Sequence, residues 1–558
     1  MRDAYSVSQV RAAENRLFAL VPDGALMQRA AAGLAVVCAE LLRAGAGGVY
    51  GARVVVLAGT GDNGGDALYA GARLAGRGAA VTAIQAGARL HAGGARALQD
   101  AGGRVIRLEP GFGSQQDVFA DEDAERHDVG YEARSAMGRA DLIVDGMLGI
   151  GGSGGLREPY ATLAELAARS RNATTVAVDL PSGIDADTGA VAGPAVRADV
   201  TVTFGAVKPG LLIDPGAGHA GVVEFVDIGL GPYLDGMPAV SAPQAQDVAA
   251  MLPHPSAESD KYRRGVVGLL VGSDRYTGAA LLATGGAVRG GAGMVRLVTF
   301  PNAAVGVRHV HPEVIVTELG SETTTRSAAP QFTPATARFA GEHHAPPEDL
   351  HPVHASPQHG TGFLDNVGRV QAWTVGSGMG TDDAAVGRLA EVLATNLPVL
   401  IDADGLTILA KHRELLPRPA PTLLTPHAGE LGRLLDADPA DIEARRLEHA
   451  RLAAAKLGAC VLLKGSTTVV APPDGRDPVL VNTTGTPWLA TAGTGDVLAG
   501  LAGALLAQGL LPPQAAITAA YLHGLAARLA ARGAVTDGEA PIGASDVVTA
   551  LPLAFHAL

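Results

Sequence analysis

Apolar residues recur at helical spacing from Ser6 to Ala19 and again from Gly24 to Arg43. The pattern then changes: RVVVLAG, residues 53 to 59, is an unbroken apolar run that ends in a glycine turn. The first two segments predict helices packed by one face, and the third a strand buried on both. Short, branched-rich runs follow at VTAI (81–84), RVIRL (104–108), DLIVDG (141–146), TTVAVDL (174–180), DVTVTF (199–204) and VVEFV (222–226), separated by helix-length Ala/Arg/Glu segments. Strands that are apolar throughout, alternating with helices, belong to a parallel sheet covered on both faces, so residues 1–230 predict a doubly wound, Rossmann-like α/β domain.

The rhythm lapses at GLGPYLDGMPAVSAPQAQDV (229–248), where Pro and Gly accumulate, and a linker is expected over 231–246. It restarts with GVVGLLVG (265–272), a helix from about Gly278, and GMVRLVTF (293–300). AWTVGSG, PVLIDADGL, PTLLTPHAGE, ACVLLKGSTTVV and PVLVN continue the alternation, and two long Ala/Leu helices follow Asp496. Residues 247–558 therefore predict a second α/β domain. Residues 319–367, rich in Thr, Pro, Ala and His without a sustained period, are expected to be a mobile loop insertion. Their His343, His344, His351, His354 and His359 invite a metal reading, which the irregular, Pro-broken spacing disfavours. QQDVFADEDAERHD (115–128) reads as a solvated acidic loop.

A chain of 558 residues exceeds what one core organises, in keeping with two domains. The formal charge of -13 argues against a general affinity for nucleic acid or an anionic membrane and favours small-molecule substrates. Cys38 and Cys460 alone cannot build a disulfide framework or a cysteine zinc site. The early charges of MRDAYSVSQVRAAENRL and the absence of about 18 uninterrupted apolar residues predict a soluble cytoplasmic protein, expected to be a homo-oligomer.

Candidate chemistry gathers where strands end. In the first half, Asp62-Asn63-Gly64-Gly65-Asp66 stands between a strand and a helix, the place where open α/β sheets bind ligands. VDGMLGIGGSGGLREP (144–159), VDLPSGIDADTG (178–189) and TFGAVKPG (203–210) also fall at strand ends and converge on one rim. Gly149-Ile150-Gly151-Gly152-Ser153-Gly154-Gly155 offers unhindered backbone for a phosphate, while Asp145 and Asp179 are strand-end carboxylates; Asp179 suits acid/base work or the capping of a turn. In the second half, Thr491-Ala492-Gly493-Thr494-Gly495-Asp496 opens an apolar helix. Free N–H groups there bind anions, and Asp496 is either a base facing a phosphate or simply the helix N-cap. His427, between Pro426 and Gly429, is a ligand contact or a satisfied, partly buried histidine; Asp402 and Asp404 act in catalysis or structure a strand end.

D-N-G-G-D, V-D-G-x-L-G-x-G and V-D-L-P-S-G together resemble the epimerase domain of the NAD(P)H-hydrate repair enzymes. The resemblance implies that Asp62 to Asp66 and Gly149 to Gly155 contact the hydrated nicotinamide nucleotide. It also implies that Asp179 acts at its C6 centre, and that Asn63, Asp145 and Ser182 supply oxygens to K⁺. The family usually has Gly where Ala67 stands. In the second half, DKYRRGVVGLLVGSDRYTGAALLA, GGAGMVRLV, VGSGMG, DADGL, TPHAGE, LLKGSTTVV and NTTGTPWLATAGTGDVLAG resemble, in that order, the ribokinase-like dehydratase of the same pathway. That resemblance implies an adenine nucleotide, ADP, held by Lys464, Gly465, Ser466, Thr467, Thr468 and the turn Thr491 to Gly495. Ala280, Gly378, His427 and Asp496 then face the hydrated substrate, with Mg²⁺ and Lys464 beside the phosphates. Ala492 departs from the family's more usual glycine. Two rival readings stay open: a ribokinase-fold vitamin or sugar kinase whose product keeps its phosphate, and a non-catalytic Rossmann-like binding module in the first half.

Overall fold

The helical spacing at the start of the chain forms two helices, Val7–Phe18 and Ala25–Gly45, in a computed structural model that describes residues 1–109, 112, 129–152, 154–320, 362–532 and 538–558. The first begins with a capping box at Ser6, whose hydroxyl accepts from Gln9 N while the Gln9 side chain accepts from Ser6 N. The second is long and apolar enough, by length and composition, to cross a membrane. Its Leu26, Ala30, Ala31, Leu34, Cys38 and Leu42 instead lie in the core beneath the first sheet.

The strands are β1 (Arg2–Ala4), β2 (Arg53–Ala58), β3 (Ala80–Gln85), β4 (Arg104–Arg107), β5 (Leu142–Gly146), β6 (Thr174–Val178), β7 (Val200–Phe204) and β8 (Val222–Val226) in the first half. They continue as β9 (Val240–Ala242), β10 (Val266–Leu270), β11 (Met294–Thr299), β12 (Ile315–Glu318), β13 (Ala372–Val375), β14 (Val399–Ile401), β15 (Thr422–Leu424), β16 (Cys460–Leu463), β17 (Thr468–Ala471) and β18 (Val479–Asn482). Among the described residues, β2 to β8 form a seven-stranded parallel sheet of order β4-β3-β2-β5-β6-β7-β8. One apolar core lies on each face, which explains the uniformly apolar strands: Val54, Val56 and Val144 belong to one core, Val55, Leu57 and Ile143 to the other.

Among the described residues, the second sheet has eleven strands in the order β1-β9-β18-β17-β16-β15-β14-β13-β10-β11-β12. Its parallel centre is covered on one side by the helices Thr277–Arg289, Thr494–Ala507, Pro512–Ala531 and Ala544–His556. The expected linker over 231–246 requires correction, because Val240–Ala242 is a buried strand held between β1 and β18. β1, from the start of the chain, therefore completes the sheet of the second half. Three-residue strands are too short for a periodicity to reveal. The halves share further structure: Leu211, Leu212 and Ile213 pack in the same core as Val469 and Val481, and Asp214 N donates to Thr467 Oγ1 at 3.2 Å. The histidines at 343, 344, 351, 354 and 359 and the acidic stretch 115–128 lie outside the described residues.

Candidate active sites

In the seven-stranded sheet the chain runs outward from β2 through β3 to β4, then returns to β5 and runs the other way. That reversal leaves a crevice beyond the strand ends. A cavity of about 860 Å³ occupies it, walled by Asp62, Asn63 and Asp66 after β2, Met147 to Gly152 after β5, Asp179 after β6 and Lys208 after β7. Arg11 and Glu14 of the first helix also line it.

Asp179 has φ +64, a left-handed conformation that side chains other than Asn and Asp seldom adopt. This turn aims its carboxylate at the fully buried Lys208, whose ammonium donates to Asp179 Oδ1, to Thr203 Oγ1 at 3.1 Å and to the Phe204 carbonyl at 3.2 Å. Asp179 Oδ1 also accepts from Thr203 Oγ1 and Phe204 N, each at 3.2 Å. Two opposite charges removed from water compensate each other only with such geometry. Lys208 escaped assignment from sequence, although TFGAVKPG already stood among the strand-end motifs; nothing in its spacing pairs it with Asp179.

Asn63, Asp145 and Ser182 meet around the Leu148 peptide. Asn63 Nδ2 donates to Leu148 O at 3.0 Å, Ser182 Oγ accepts from Leu148 N at 2.9 Å, and Ser182 Oγ donates to Asp145 Oδ1 at 2.7 Å. Asp145 has no exposed surface. Burial pushes its pKa up to about 6 against the opposing hydrogen bonds from Ser182 and Met147. Among the described residues no group of three or more His, Cys, Asp or Glu side chains is arranged to hold a metal ion, so a cation here depends on this amide, hydroxyl and carboxylate set.

Several expected contacts turn out to be packing. Gly64 and Gly65 are buried and do not wall the cavity; a Cβ on Gly64 would lie 2.4 Å from Gly59 O, so the residue lets the helix start press against the strand end. Gly149, Ile150, Gly151 and Gly152 reach the cavity, Gly154 and Gly155 do not, and Ser153 lies outside the described residues. Ala67 fits because Gly146 faces it: a Cβ on Gly146 would meet the Ala67 methyl at 2.5 Å.

The second site lies at the start of the helix Thr494–Ala507. Its N-cap is Gly493, with φ +90, so Asp496 is not the cap. Three carboxylates and one lysine meet there. Lys464 Nζ donates to Asp402 Oδ1 at 2.6 Å and lies 3.7 Å from Glu430 Oε2. Burial alone would lower the Lys464 pKa, yet Asp402, Glu430 and Asp496 hold it above its ordinary value. For Asp496, burial pushes the pKa up to about 6; the Ser377 hydroxyl and Lys464 oppose this, while the charges of Asp402 and Asp404 add to it. Asp404 has its own structural task, accepting from Gly380 N at 3.0 Å.

A cavity of about 580 Å³ beside this cluster is walled by His427, Arg446, Lys464, Gly465, Thr491, Ala492, Thr494 and Gly495, among others. Asp496 stands immediately beyond Gly495. His427 serves two purposes: it faces the cavity, and its Nδ1 accepts from Gly429 N and Glu430 N at 3.0 and 3.3 Å, capping the helix Ala428–Leu435. Thr467, expected at the nucleotide, has a second bond to make. It is buried, and its hydroxyl donates to Asp214 Oδ2 at 2.7 Å, bracing one half of the chain on the other. Thr468 begins β17, and Gly465 and Ser466 are exposed. Thr494 uses its hydroxyl on Leu489 O and Thr491 O, at 2.9 and 3.0 Å. Ala492 is exposed and stands at the cavity wall. Ala280 has no exposed surface in this conformation and lies against Gly272; Gly378, with φ +65, sits where a Cβ would come within 2.8 Å of Tyr276 Cβ. Arg446, a buried cation under Gly465, carried no signal within its helix-like stretch.

A family model described as NAD(P)H-hydrate dehydratase matches residues 267–549, and one described as YjeF-related protein N-terminus matches residues 23–210. The bifunctional NAD(P)H-hydrate repair enzyme Nnr of Mycobacterium tuberculosis is 44% identical over 519 residues, covering 92% of this chain and 91% of that protein. The enzyme of the same name from Mycobacterium leprae is 41% identical over 561 residues and covers 100% of both chains. Among solved structures, the ADP/ATP-dependent NAD(P)H-hydrate dehydratase from Bacillus subtilis, co-crystallised with ATP/Mg²⁺, is 28% identical; it aligns with a TM-score of 0.43 over 56% of this chain and 97% of that one.

Proposed function

The chain belongs to the family of bifunctional NAD(P)H-hydrate repair enzymes, and on that premise we propose how its two sites divide the work. The first cavity interconverts the R and S forms of hydrated NADH or NADPH. The second site dehydrates the S form, with ADP as phosphate donor and AMP and phosphate as products. The observation that carries this reading is the presence, in one chain, of a buried Lys208–Asp179 pair at a cavity and of Asp496 at a helix N-terminus.

Water leaves C6 poorly unless its oxygen becomes a better leaving group. Asp496 takes the proton of the C6 hydroxyl as that oxygen attacks the terminal phosphorus of the nucleotide, and the bond from phosphorus to AMP breaks. The free N–H groups of the Thr494–Ala507 helix stabilise the developing charge. Phosphate then leaves C6 while a proton leaves C5, restoring the dihydropyridine. Asp402 and Asp404 each have one oxygen committed, to Lys464 and to Gly380 N, and their other oxygens would hold a Mg²⁺ ion together with phosphates. When bound, that ion neutralises phosphate charge.

At the other site, Lys208 donates a proton to the departing C6 oxygen as N1 supplies electrons. Water returns to the opposite face and gives its proton to the pair. Asn63, Asp145 and Ser182 would hold K⁺: the Asn63 amide nitrogen is committed to Leu148 O, which leaves its Oδ1 as a donor oxygen, and Ser182 bonds the buried Asp145 carboxylate. When bound, K⁺ would anchor the Leu148 turn at the cavity wall.

The test is incubation of mixed epimers with ADP or with ATP, following reduced nicotinamide absorbance and separating the nucleotides by chromatography. Complete recovery of both epimers with AMP as product is expected. Turnover of ATP alone, or a stable phosphorylated product, overturns the assignment of the donor or of the dehydration.

A further inference from the structure

Asp66 takes no part in the proton transfers above. It lies one turn into the helix after β2, at the cavity wall, and its Oδ1 is sealed from solvent without a hydrogen-bond partner. The charged groups around it are Arg11 and Glu14 from the first helix, Asp62 from its own helix, and Asp179 and Lys208 from the strand ends. The Lys208 ammonium is already committed to Asp179, Thr203 and Phe204. An ionised carboxylate here would hold a sealed, unpartnered oxygen near three other carboxyl groups, whereas a protonated one would carry no such charge. Burial first, then the charges of Asp179, Asp62 and Glu14, accordingly raise the Asp66 pKa well above the carboxylate range.

A neutral carboxylic acid presents a donor and an acceptor side by side, while an ionised one only accepts. The ionised form suits a ribose diol. The neutral form suits a primary carboxamide, whose oxygen accepts and whose nitrogen donates at matching spacing. The nicotinamide ring carries such a group at C3, across the ring from the C6 centre where Lys208 and Asp179 act. Resting on the epimerase reading of this cavity, we infer that Asp66 is a specificity-determining residue that pairs, in its neutral form, with the C3 carboxamide of the hydrated cofactor and so holds C6 against the Lys208–Asp179 pair.

The experiment measures epimer interconversion by the full-length enzyme and by Asp66→Asn and Asp66→Ala, with the hydrate of reduced NADP and with the hydrate of its 3-acetylpyridine analogue, which lacks the amide N–H. Circular dichroism and thermal melts check folding. Asp66→Ala is expected to raise KM about 10- to 100-fold with kcat little changed, and Asp66→Asn, which keeps a donor and an acceptor, to recover most of that loss. The unsubstituted enzyme should have a KM about tenfold higher for the acetyl analogue, the worth of one lost hydrogen bond. A normal KM for Asp66→Ala, or equal damage from Asp66→Asn, overturns the inference. Should Asp66→Ala not fold, equal KM values for the two hydrates with the unsubstituted enzyme overturn it. Failure of the unsubstituted enzyme to interconvert the ordinary epimers would instead refute the epimerase reading itself.

Discussion

Asp179 and Asp496 are both carboxylates near a lysine, Asp179 at the wall of the first cavity and Asp496 next in the chain to Gly495 of the second, but the lysine is used differently. In the first site Lys208 binds the working carboxylate itself. In the second, Lys464 is taken by Asp402, and Asp496 is left among like charges with its pKa pushed up to about 6. The first arrangement stores a proton on an ammonium next to its acceptor and suits a reaction that must give and take one proton on the same atom. The second leaves a carboxylate free to accept a proton from the substrate. Burying a carboxylate therefore has two chemical uses, and the partner of the nearby lysine decides which.

The largest effect that can break this comparison is expected from Asp496→Asn, which keeps shape but not basicity. Dehydration should fall about 10²- to 10⁴-fold with nucleotide binding by calorimetry retained. Normal dehydration by this variant would show that the carboxylate is not the base.

Lys208→Met tests the other half. Epimer interconversion should fall about 10²-fold, and the S form should still be dehydrated. Because it strands a buried Asp179, the variant should also lose about 3–5 kcal/mol of stability in its half of the molecule, read by denaturant titration of the first-half signal. Loss of stability without loss of interconversion would reduce the pair to a structural one.

The pH dependence sharpens the contrast. A base titrating at about 6 predicts that kcat/KM for dehydration falls tenfold per unit below that pH, with a plateau above it. The stability effect has the opposite sign. The native state holds the Asp496 proton more tightly than the unfolded chain, whose carboxylate titrates near 3.8, so the contribution is present below about pH 4 and lost as pH rises through about 6. Asp145 follows the same sign over the same window. Asp496→Asn should therefore melt higher than the unsubstituted chain at pH 8, with the difference shrinking towards pH 4.

The smallest expected effect on chemistry is that of Thr467→Val. Its hydroxyl braces the two halves through the half-buried Asp214, so the variant should lose about 1 kcal/mol of stability, the net worth of one hydrogen bond. ADP affinity should stay within about threefold; a larger loss by calorimetry would return Thr467 to the nucleotide site.

Legibility from sequence followed the physics of each feature. Long apolar strands such as Val54–Ala58 and Val266–Leu270 were readable because burial on both faces leaves an unbroken run. Asp62, Asn63, Asp66, Asp179 and Asp496 were readable because glycine turns and strand ends mark them locally. Lys208, Glu430 and Arg446 were not assigned, since their partners lie far off in the chain or, for Glu430, beyond its own helix. The packing of Gly64 and Gly65 against the strand end and the bond from Thr467 to Asp214 were not readable, because a motif cannot say which of its members face inward.

The sequence by itself determined the two α/β halves, the strand-end motifs and the family resemblance, since each depends on local periodicity or on contiguous residues. Only the tertiary structure decided that β1 completes the second sheet, that Lys208 belongs to Asp179 while Lys464 belongs to Asp402, and that Asp66 stands without a partner. The reason is physical: short edge strands carry too few residues to show a period, and the charge state of a buried group is set by neighbours that the chain brings together only when it folds.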